Sequence, residues 1–110
     1  MKKLKVTIQN SEEMITNEVE AVSKDSTLTY QEEDRKVTWD AEKNILRREN
    51  EEYEMTFFFE EGNIHTVYKE YEVEVDIPIK VTKNIQKEDS FEIEYEIENE
   101  KFTYRIEEIK

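Results

Sequence analysis

The segment from Phe91 to Glu98 alternates apolar and acidic residues without interruption, and it constrains the fold more strongly than any other part of the chain. Every odd position is Phe, Ile or Tyr, and every even position is Glu. Side chains of a β-strand point alternately to opposite faces, so this segment can bury one complete face and expose the other. On a helix the same order would place glutamates all around the axis and leave no apolar stripe. The segment is therefore predicted to form a half-buried strand.

Alternation of this kind recurs along most of the chain. It is clearest in four other segments, which are Leu4–Ile8, Tyr53–Phe59, Val73–Val81 and Phe102–Ile106. Residues 73–81 are long for one straight strand, and Pro78 cannot donate a hydrogen bond to a neighbouring strand, so we expect an edge, a bulge or a bend there. Gly62, the only glycine of the chain, is expected to supply a positive φ in a hairpin turn.

Residues 12–22 are the one ambiguous segment. Their apolar residues have the spacing of a helix, and Ser11 followed by two acids is a fair N-cap. Read with a period of two, the same segment places Ile15, Val19 and Ala21 on one face. We favour a strand, because every neighbouring segment is predicted to be β.

Turn-forming residues separate nine or ten short predicted strands, and no linker, low-complexity segment or internal repeat divides them. The chain is therefore expected to be one domain spanning residues 1–110. Many short antiparallel strands at this spacing form a sandwich or a barrel, and closure into a barrel removes exposed strand edges. The predicted fold is all-β, an antiparallel up-and-down β-barrel.

The chain carries a formal net charge of −13, with 29 acidic residues against 16 basic ones. This charge opposes binding to nucleic acid or to an anionic membrane. Phosphate groups are bound by clustered Lys and Arg, and the chain has no run of three basic residues. Most glutamates fall on outward positions of alternating strands, where they are expected to serve solubility. The alternatives are a docking surface for a basic partner and a mimic of nucleic acid.

The sequence contains no catalytic or cofactor-binding signature, so we expect a protein that is not an enzyme and has no cofactor. Cysteine is absent, which leaves neither a disulfide nor a thiol nucleophile. The single histidine disfavours a zinc site, the scarcity of closely spaced Asp disfavours a calcium loop, and the single glycine disfavours a phosphate-binding loop. No apolar run approaches about 20 residues, the length of a membrane span, and the first residues lead into a strand. A cytoplasmic protein is therefore expected.

A series of short motifs runs from residue 30 to residue 68. It consists of Tyr-x-Glu at residues 30–32, an Arg after an apolar strand at 47 or 48, Met55, Phe-x-x-Gly at 59–62, and Tyr68. In these motifs the chain resembles the DUF1934 (YwiB-like) family of uncharacterised bacterial proteins. It departs from the family in lacking a Gly shortly after the Arg and in having Lys-Glu-Tyr-Glu at 69–72 in place of a Thr-Pro-Tyr-Gly-like turn. The resemblance implies a calycin-like β-barrel of about eight to ten strands, related in shape to the lipocalins, with no established activity.

Six residues are candidates for lining the mouth of such a barrel and binding a ligand there: Tyr30, Trp39, Arg47, Arg48, His65 and Tyr68. Arg47 and Arg48 are consecutive on a strand, so one is expected to point inward and the other outward. An inward Arg either anchors an anionic ligand or pairs with an internal Glu, and we favour the internal pair, with Glu32 as its partner. His65 is expected to be an ordinary strand residue, and Trp39 is expected to belong to the core.

Two functions are consistent with these features. The first is a non-enzymatic binding module that holds a small, partly apolar ligand inside the barrel, with an inward Arg as anchor if the ligand is anionic. The second is an interaction module that uses a strand edge or an acidic face to form a homodimer or to bind a basic partner. A hydrolase built on paired carboxylates has no specific support, because so many glutamates allow any pairing to be chosen.

Overall fold

The computed structural model describes all residues from Met1 to Lys110, and it consists of eleven β-strands without a helix. In chain order the strands are β1 (Lys2–Gln9), β2 (Met14–Lys24), β3 (Thr27–Glu32), β4 (Arg35–Asp40), β5 (Ile45–Glu49), β6 (Tyr53–Phe58), β7 (Asn63–Tyr68), β8 (Val73–Pro78), β9 (Lys80–Gln86), β10 (Ser90–Ile97) and β11 (Glu100–Glu108). The prediction of an all-β antiparallel fold is confirmed. No helix has the length and hydrophobicity that a membrane span requires.

The eleven strands form one antiparallel sheet that curls into a nearly closed barrel. Strands that follow each other in the chain are paired, except β8 with β9, and β1 additionally pairs with β11. The sheet therefore has β8 at one edge and β9 at the other. Only Ile79 separates these two strands in the chain. The ring is thus completed by the covalent continuity of residues 73–86 rather than by a further ladder of hydrogen bonds.

Pro78 marks the point where this long segment changes its partner. The ladder with β7 ends where Pro78 lies opposite Asn63, and the ladder with β10 begins where Lys80 lies opposite Glu96. Proline has no N–H to donate, so at the end of a ladder it does not interrupt the hydrogen bonds between the strands. The predicted break at Pro78 is confirmed. It also explains why the structure has eleven strands where eight to ten were expected, since one long strand is divided in two.

Gly62 approaches the same point from the β6–β7 turn. Its φ is +74°, in agreement with the predicted turn, and its carbonyl oxygen accepts a hydrogen bond of 2.9 Å from the N–H of Ile79. A Cβ atom at position 62 would lie 3.0 Å from the carbonyl oxygen of Ile79. Glycine is therefore needed here both for the backbone conformation and for the close approach of the two segments.

The ambiguous segment at residues 12–22 is mostly strand, as predicted. β2 pairs with β1 along most of its length and with β3 at its C-terminal end. The residues that resembled a helix cap form a turn instead, in which the side-chain oxygen of Asn10 accepts hydrogen bonds from the backbone N–H groups of Glu12 and Glu13. Pairing with β1 thus overrides the local helical spacing.

Apolar side chains fill the interior of the barrel. Their inward-facing positions include the odd residues of β10 and the even residues of β1 and β11, as the alternation predicted. Trp39 stacks on Phe91 with ring centroids 3.9 Å apart, and Phe57, Phe59 and Tyr95 form a second aromatic group. The buried apolar residues form one cluster: Leu4, Val6, Ala21, Tyr30, Val37, Trp39, Leu46, Phe57, Phe59, Ile64, Phe91, Ile93, Tyr95, Tyr104 and Ile106.

The turns divide the barrel into two ends. The turns after β1, β3, β5, β7 and β10 lie at one end, which we name the arginine end because Arg35 and Arg48 lie next to it. The turns after β2, β4, β6 and β9 lie at the other end, which we name the cleft end because a cavity opens there between the β2–β3 and β9–β10 turns.

Substitution of Gly62 by Ala is expected to destabilise the protein by about 1–2 kcal/mol, because a side chain is strained at positive φ and the new Cβ also crowds the Ile79 carbonyl. Urea unfolding followed by the fluorescence of Trp39 measures this change. Glu98 in the β10–β11 turn has a φ of 59° and offers a control with the opposite expected sign. Replacing it by Gly removes the strain of a side chain at positive φ, so E98G is expected to raise the stability slightly. A G62A protein as stable as the parent would contradict the role assigned to this glycine.

Candidate functional site

Arg48 points into the barrel and is the centre of a polar cluster in its interior. The register of β5 places Arg48 opposite Val37 on one side and Met55 on the other, and both of these residues belong to the core or pack against it. Nη2 of Arg48 lies 3.6 Å from Oε2 of Glu32, and the two side chains are only 16% and 11% exposed. The prediction that one of the adjacent arginines points inward and pairs with Glu32 is confirmed.

Three tyrosines surround this ion pair. The phenol oxygens of Tyr30 and Tyr104 are hydrogen-bonded to each other. Burial raises the pKa of both phenols far above the ordinary value, and it raises the pKa of Tyr95 to about 12. The positive charge of Arg48 opposes this rise in pKa for all three tyrosines, because its guanidinium lies near each phenol. At neutral pH these tyrosines therefore act as neutral hydrogen-bonding groups.

Four polar side-chain atoms at inward positions of β3, β4, β5 and β7 are buried without a hydrogen-bond partner. They are Oε2 of Glu32, Nε of Arg35, Nε of Arg48 and Oγ1 of Thr66. Arg35 lies opposite Glu32 across the β3–β4 turn, on the same face of the sheet. A buried polar atom without a partner costs about 1–3 kcal/mol, so native proteins satisfy nearly all of them. We refer to Tyr30, Glu32, Arg35, Arg48, Thr66 and Tyr104 as the inner cluster.

The inner cluster holds more positive than negative charge. Two guanidinium groups, those of Arg35 and Arg48, lie at inward positions with one inward carboxylate, that of Glu32, and only Arg48 is within ion-pair distance of it. Nε of Arg35 also lies 3.7 Å from Oδ1 of Asp34, but the side chain of Asp34 is 72% exposed, so water screens its charge. In a chain with a net charge of −13, this excess of positive charge in the interior is a local exception.

Some basic residues on the outer surface have a carboxylate in closer contact. Lys83 and Arg105 both contact Glu92, and Lys101 contacts Glu94. Hydrogen bonds from Lys83 to Glu92 and from Lys101 to Glu94 hold the pKa of both carboxyl groups below the usual range. Lys83, Lys101 and Arg105 thus have carboxylate oxygens within hydrogen-bonding distance, which the inner arginines lack.

Apolar side chains that point inward but remain exposed form a rim at the arginine end. Tyr68 is 45% exposed, Val73 47%, Val75 39% and Ile15 45%. The register places Val75 opposite Thr66 and Val73 opposite Tyr68, so this apolar rim lies directly beside the inner cluster. The arginine end therefore combines a charged inner layer with an apolar outer layer.

Arg47 and His65 lie on the outer surface and take no part in the inner cluster. Nε of Arg47 is 3.4 Å from Oε1 of Glu54, and the side chain of Arg47 is 51% exposed. His65 lies between two carboxylates of β8, with Nδ1 2.8 Å from Asp76 and Nε2 3.0 Å from Glu74. The hydrogen bond to Asp76, followed by the one to Glu74, raises the pKa of His65.

The structure brings together three of the six candidate residues. Tyr30 and Arg48 belong to the inner cluster, and Tyr68 belongs to the apolar rim. Trp39 is 2% exposed and stacks on Phe91 near the cleft end, so its expected place in the core is confirmed.

Arg35, Thr66 and Tyr104 belong to the inner cluster but were not among the candidate residues. Arg35 could have been found, because it alternates with the core residue Val37 and therefore shares its face. Thr66 gave no usable signal, since threonine is common in strands of every kind. The contact of Tyr104 with Tyr30 joins distant parts of the chain, so local patterns could not reveal it.

The chemistry of the inner cluster suits an anion. Guanidinium groups bind carboxylates and phosphates through fork-shaped pairs of hydrogen bonds, and hydroxyl groups can add further ones. No group of three or more His, Cys, Asp or Glu side chains is placed to hold a metal ion. The arrangement can therefore fix and orient a negatively charged group at the arginine end.

Comparison of the chain with models of protein families, with curated proteins and with solved structures found no match. A proposal of function therefore rests on the geometry and chemistry of the inner cluster.

Replacing Arg48 by Met is expected to destabilise the protein by about 3 kcal/mol, because it leaves the buried Glu32 without its cation. R47M, the same change at the adjacent position, is expected to cost less than about 0.5 kcal/mol, since the pair of Arg47 with Glu54 is on the surface. Guanidinium chloride unfolding at pH 7 compares the two variants. The double variant R48M/E32Q should recover part of the loss. Equal effects of R48M and R47M would contradict the interior position of Arg48.

Replacing His65 by Gln is expected to cost more stability at pH 6 than at pH 9. Because Asp76 and Glu74 raise the pKa of His65 in the folded protein, their stabilising effect is fully present below the unfolded value of about 6.5. It is lost as the pH rises through the folded pKa. Thermal unfolding of the parent and H65Q at both pH values measures the difference, and a gap independent of pH would argue against an ionic interaction.

Proposed function

We propose that this protein is a non-enzymatic β-barrel that binds a small amphipathic anion at its arginine end. The observation that carries the proposal is the set of four buried polar atoms without a partner, on Glu32, Arg35, Arg48 and Thr66. The anionic head group contacts the two arginines and the threonine hydroxyl, and the apolar part lies against the apolar rim.

Charge balance favours a head group with a single negative charge. The inner cluster has two guanidinium groups and one carboxylate, so one added negative charge makes it neutral. A carboxylate has two oxygens that can each accept a hydrogen bond from a different guanidinium. A polyphosphate would overcompensate the cluster, and the net charge of −13 would repel it.

The packed core limits the size of the ligand. Phe57 and Tyr95, and Tyr104 of the inner cluster itself, are buried members of the packed core, which occupies the space deeper in the barrel. We therefore propose a ligand with a short apolar part that rests on the rim, rather than one enclosed in the barrel centre.

The resemblance to the DUF1934 family is part of this proposal. It is supported by the barrel architecture, by the inward Arg48 that follows an apolar strand, and by Gly62 in the turn that the Phe-x-x-Gly motif forms. A cytoplasmic location is proposed on the sequence alone, which has no apolar run as long as a membrane span.

A second candidate function is interaction with another protein chain through a strand edge. β8 pairs only with β7, and Val73 and Val75 are exposed on it. An exposed edge can accept an additional strand. Glu74 and Asp76 on β8 oppose antiparallel pairing of this edge with its own copy, because like charges would face each other, and so favour a basic partner over a homodimer.

Titration with hexanoate, followed by NMR of the backbone amides, is expected to shift the signals of Arg35, Arg48, Thr66 and Tyr68. Hexan-1-ol carries the same apolar part without the charge, and hexylamine carries the opposite charge. Both controls should produce much smaller shifts at these residues, because neither supplies an anion to the two arginines. Equal shifts from hexanoate and hexan-1-ol would overturn the proposal of an anionic head group.

Variants locate the binding site of hexanoate. R35M is expected to weaken binding about tenfold, the equivalent of one charged hydrogen bond, whereas R47M on the outer surface should leave it unchanged. T66V, which removes one hydroxyl with little change of shape, should weaken binding less than R35M. Native mass spectrometry of the purified protein reports any co-purified anion together with the oligomeric state. A dimer that carries no ligand would favour the strand-edge function instead.

A further inference from the structure

A second concave site opens at the cleft end, at the opposite end of the barrel from the inner cluster. It is a cavity of about 160 Å³ between the β2–β3 turn, with Asp25 and Ser26, and the β9–β10 turn at residues 87–89. Six apolar residues line its floor: Leu4, Leu28, Trp39, Ala41, Phe91 and Ile106. We refer to this site as the cleft.

The two walls of the cleft are anchored to different parts of the barrel. The N–H of Ala41 donates to the carbonyl of Ser26 at 2.9 Å, which ties the β2–β3 turn to the β4–β5 turn. The N–H of Glu108 donates to the carbonyl of Asp89 at 2.8 Å, which ties the β9–β10 turn to β11. No hydrogen bond joins the two walls to each other. Gln86, next to the β9–β10 turn, donates a hydrogen bond of 3.2 Å to Oδ1 of Asn44 in the β4–β5 turn.

The opening of the cleft is acidic. Four carboxylates and two ammonium groups line it, and the carboxylates are Asp25, Glu88, Asp89 and Glu108. Asp89 pairs with Lys110 at 3.1 Å and Glu108 pairs with Lys2 at 3.7 Å. Asp25, Glu88 and Lys87 form no ion pair, so the unpaired groups are two carboxylates against one ammonium, and Asp25 and Glu88 are the carboxylates that remain available to a ligand.

We propose that the cleft binds a small organic cation with one aromatic ring, such as an arylmethylamine. An enclosed apolar cavity of about 150 Å³ can hold one benzene ring, and the cleft has a similar volume but is open to solvent on one side, which leaves room for a charged group at the opening. The ring lies on the apolar floor beside the stacked Trp39 and Phe91, and the ammonium group lies at the opening near Asp25 and Glu88. The net charge of −13 attracts such a cation from solution.

This site is independent of the proposed function. The inner cluster takes an anion through arginines, and the cleft takes a cation through carboxylates at the other end of the barrel. Failure of one site to bind its ligand therefore leaves the other untouched, and residue-resolved NMR tells the two ends apart.

Three probes with the same ring test the charge preference: benzylamine, benzyl alcohol and benzoate. Benzylamine is expected to shift the amide signals of Leu28, Ala41 and Phe91 and to change the fluorescence of Trp39, the only tryptophan of the chain. Benzyl alcohol should bind there more weakly, and benzoate should not shift these signals. Benzoate shifts at the cleft as large as those of benzylamine would overturn the preference for a cation. An absence of cleft shifts with all three would overturn the site.

Matched variants test where the ammonium group of benzylamine binds. D25N and E88Q are each expected to weaken benzylamine binding about two- to fivefold, the value of one exposed ion pair. Asn tolerates the positive φ of position 25, so D25N preserves the turn. E70Q makes the same change of charge at an exposed residue of the arginine end and should leave binding unchanged. Equal effects of E70Q and of the two cleft variants would overturn the assignment of the ammonium position.

Discussion

The antiparallel ladder between β1 and β11 is the contact on which the rest of the barrel depends. It pairs Leu4–Gln9 with Thr103–Glu108, segments from opposite ends of the chain. Without this ladder the remaining strands would form an open meander with long unpaired edges and an apolar face in water. With it, the inward residues of β1 and β11 meet those of β3, β4 and β5. Both the inner cluster and the cleft combine residues from the two halves that this ladder joins.

The two ends of the barrel have opposite electrostatic character, and the same geometric rule produces both. Successive residues of a strand point to opposite faces of the sheet. A charged residue at an inward position therefore points into the barrel, and the register of the strand decides which residues it meets there. At the arginine end, Arg35, Arg48 and Glu32 are on such positions and give a positive excess on the inward face. At the cleft end the acidic residues lie mainly in turns, beyond the apolar floor, and give an acidic opening. A barrel that is acidic overall can therefore offer one site to anions and another to cations.

Much of the fold could be predicted because its signals are local. The β pattern, the break at Pro78 and the positive φ of Gly62 each follow from the chemistry of one or a few consecutive residues. The pairing of Arg48 with Glu32 could also be predicted, since adjacent residues must diverge and an inward arginine either binds an anionic ligand or pairs with an internal carboxylate, which was the favoured alternative. The division of residues 73–86 into two strands was less accessible, because it depends on which neighbour each half meets.

By itself the sequence determined which residues face inward, because alternation is a property of a single strand and needs no partner. It also determined that most of the negative charge lies outside. Only the tertiary structure decided which inward residues meet one another. Tyr30 and Tyr104 are 74 residues apart and touch because the sheet closes, and the cleft exists because two distant turns stand at one end. Such contacts depend on the register of every intervening strand pair, so no single segment encodes them.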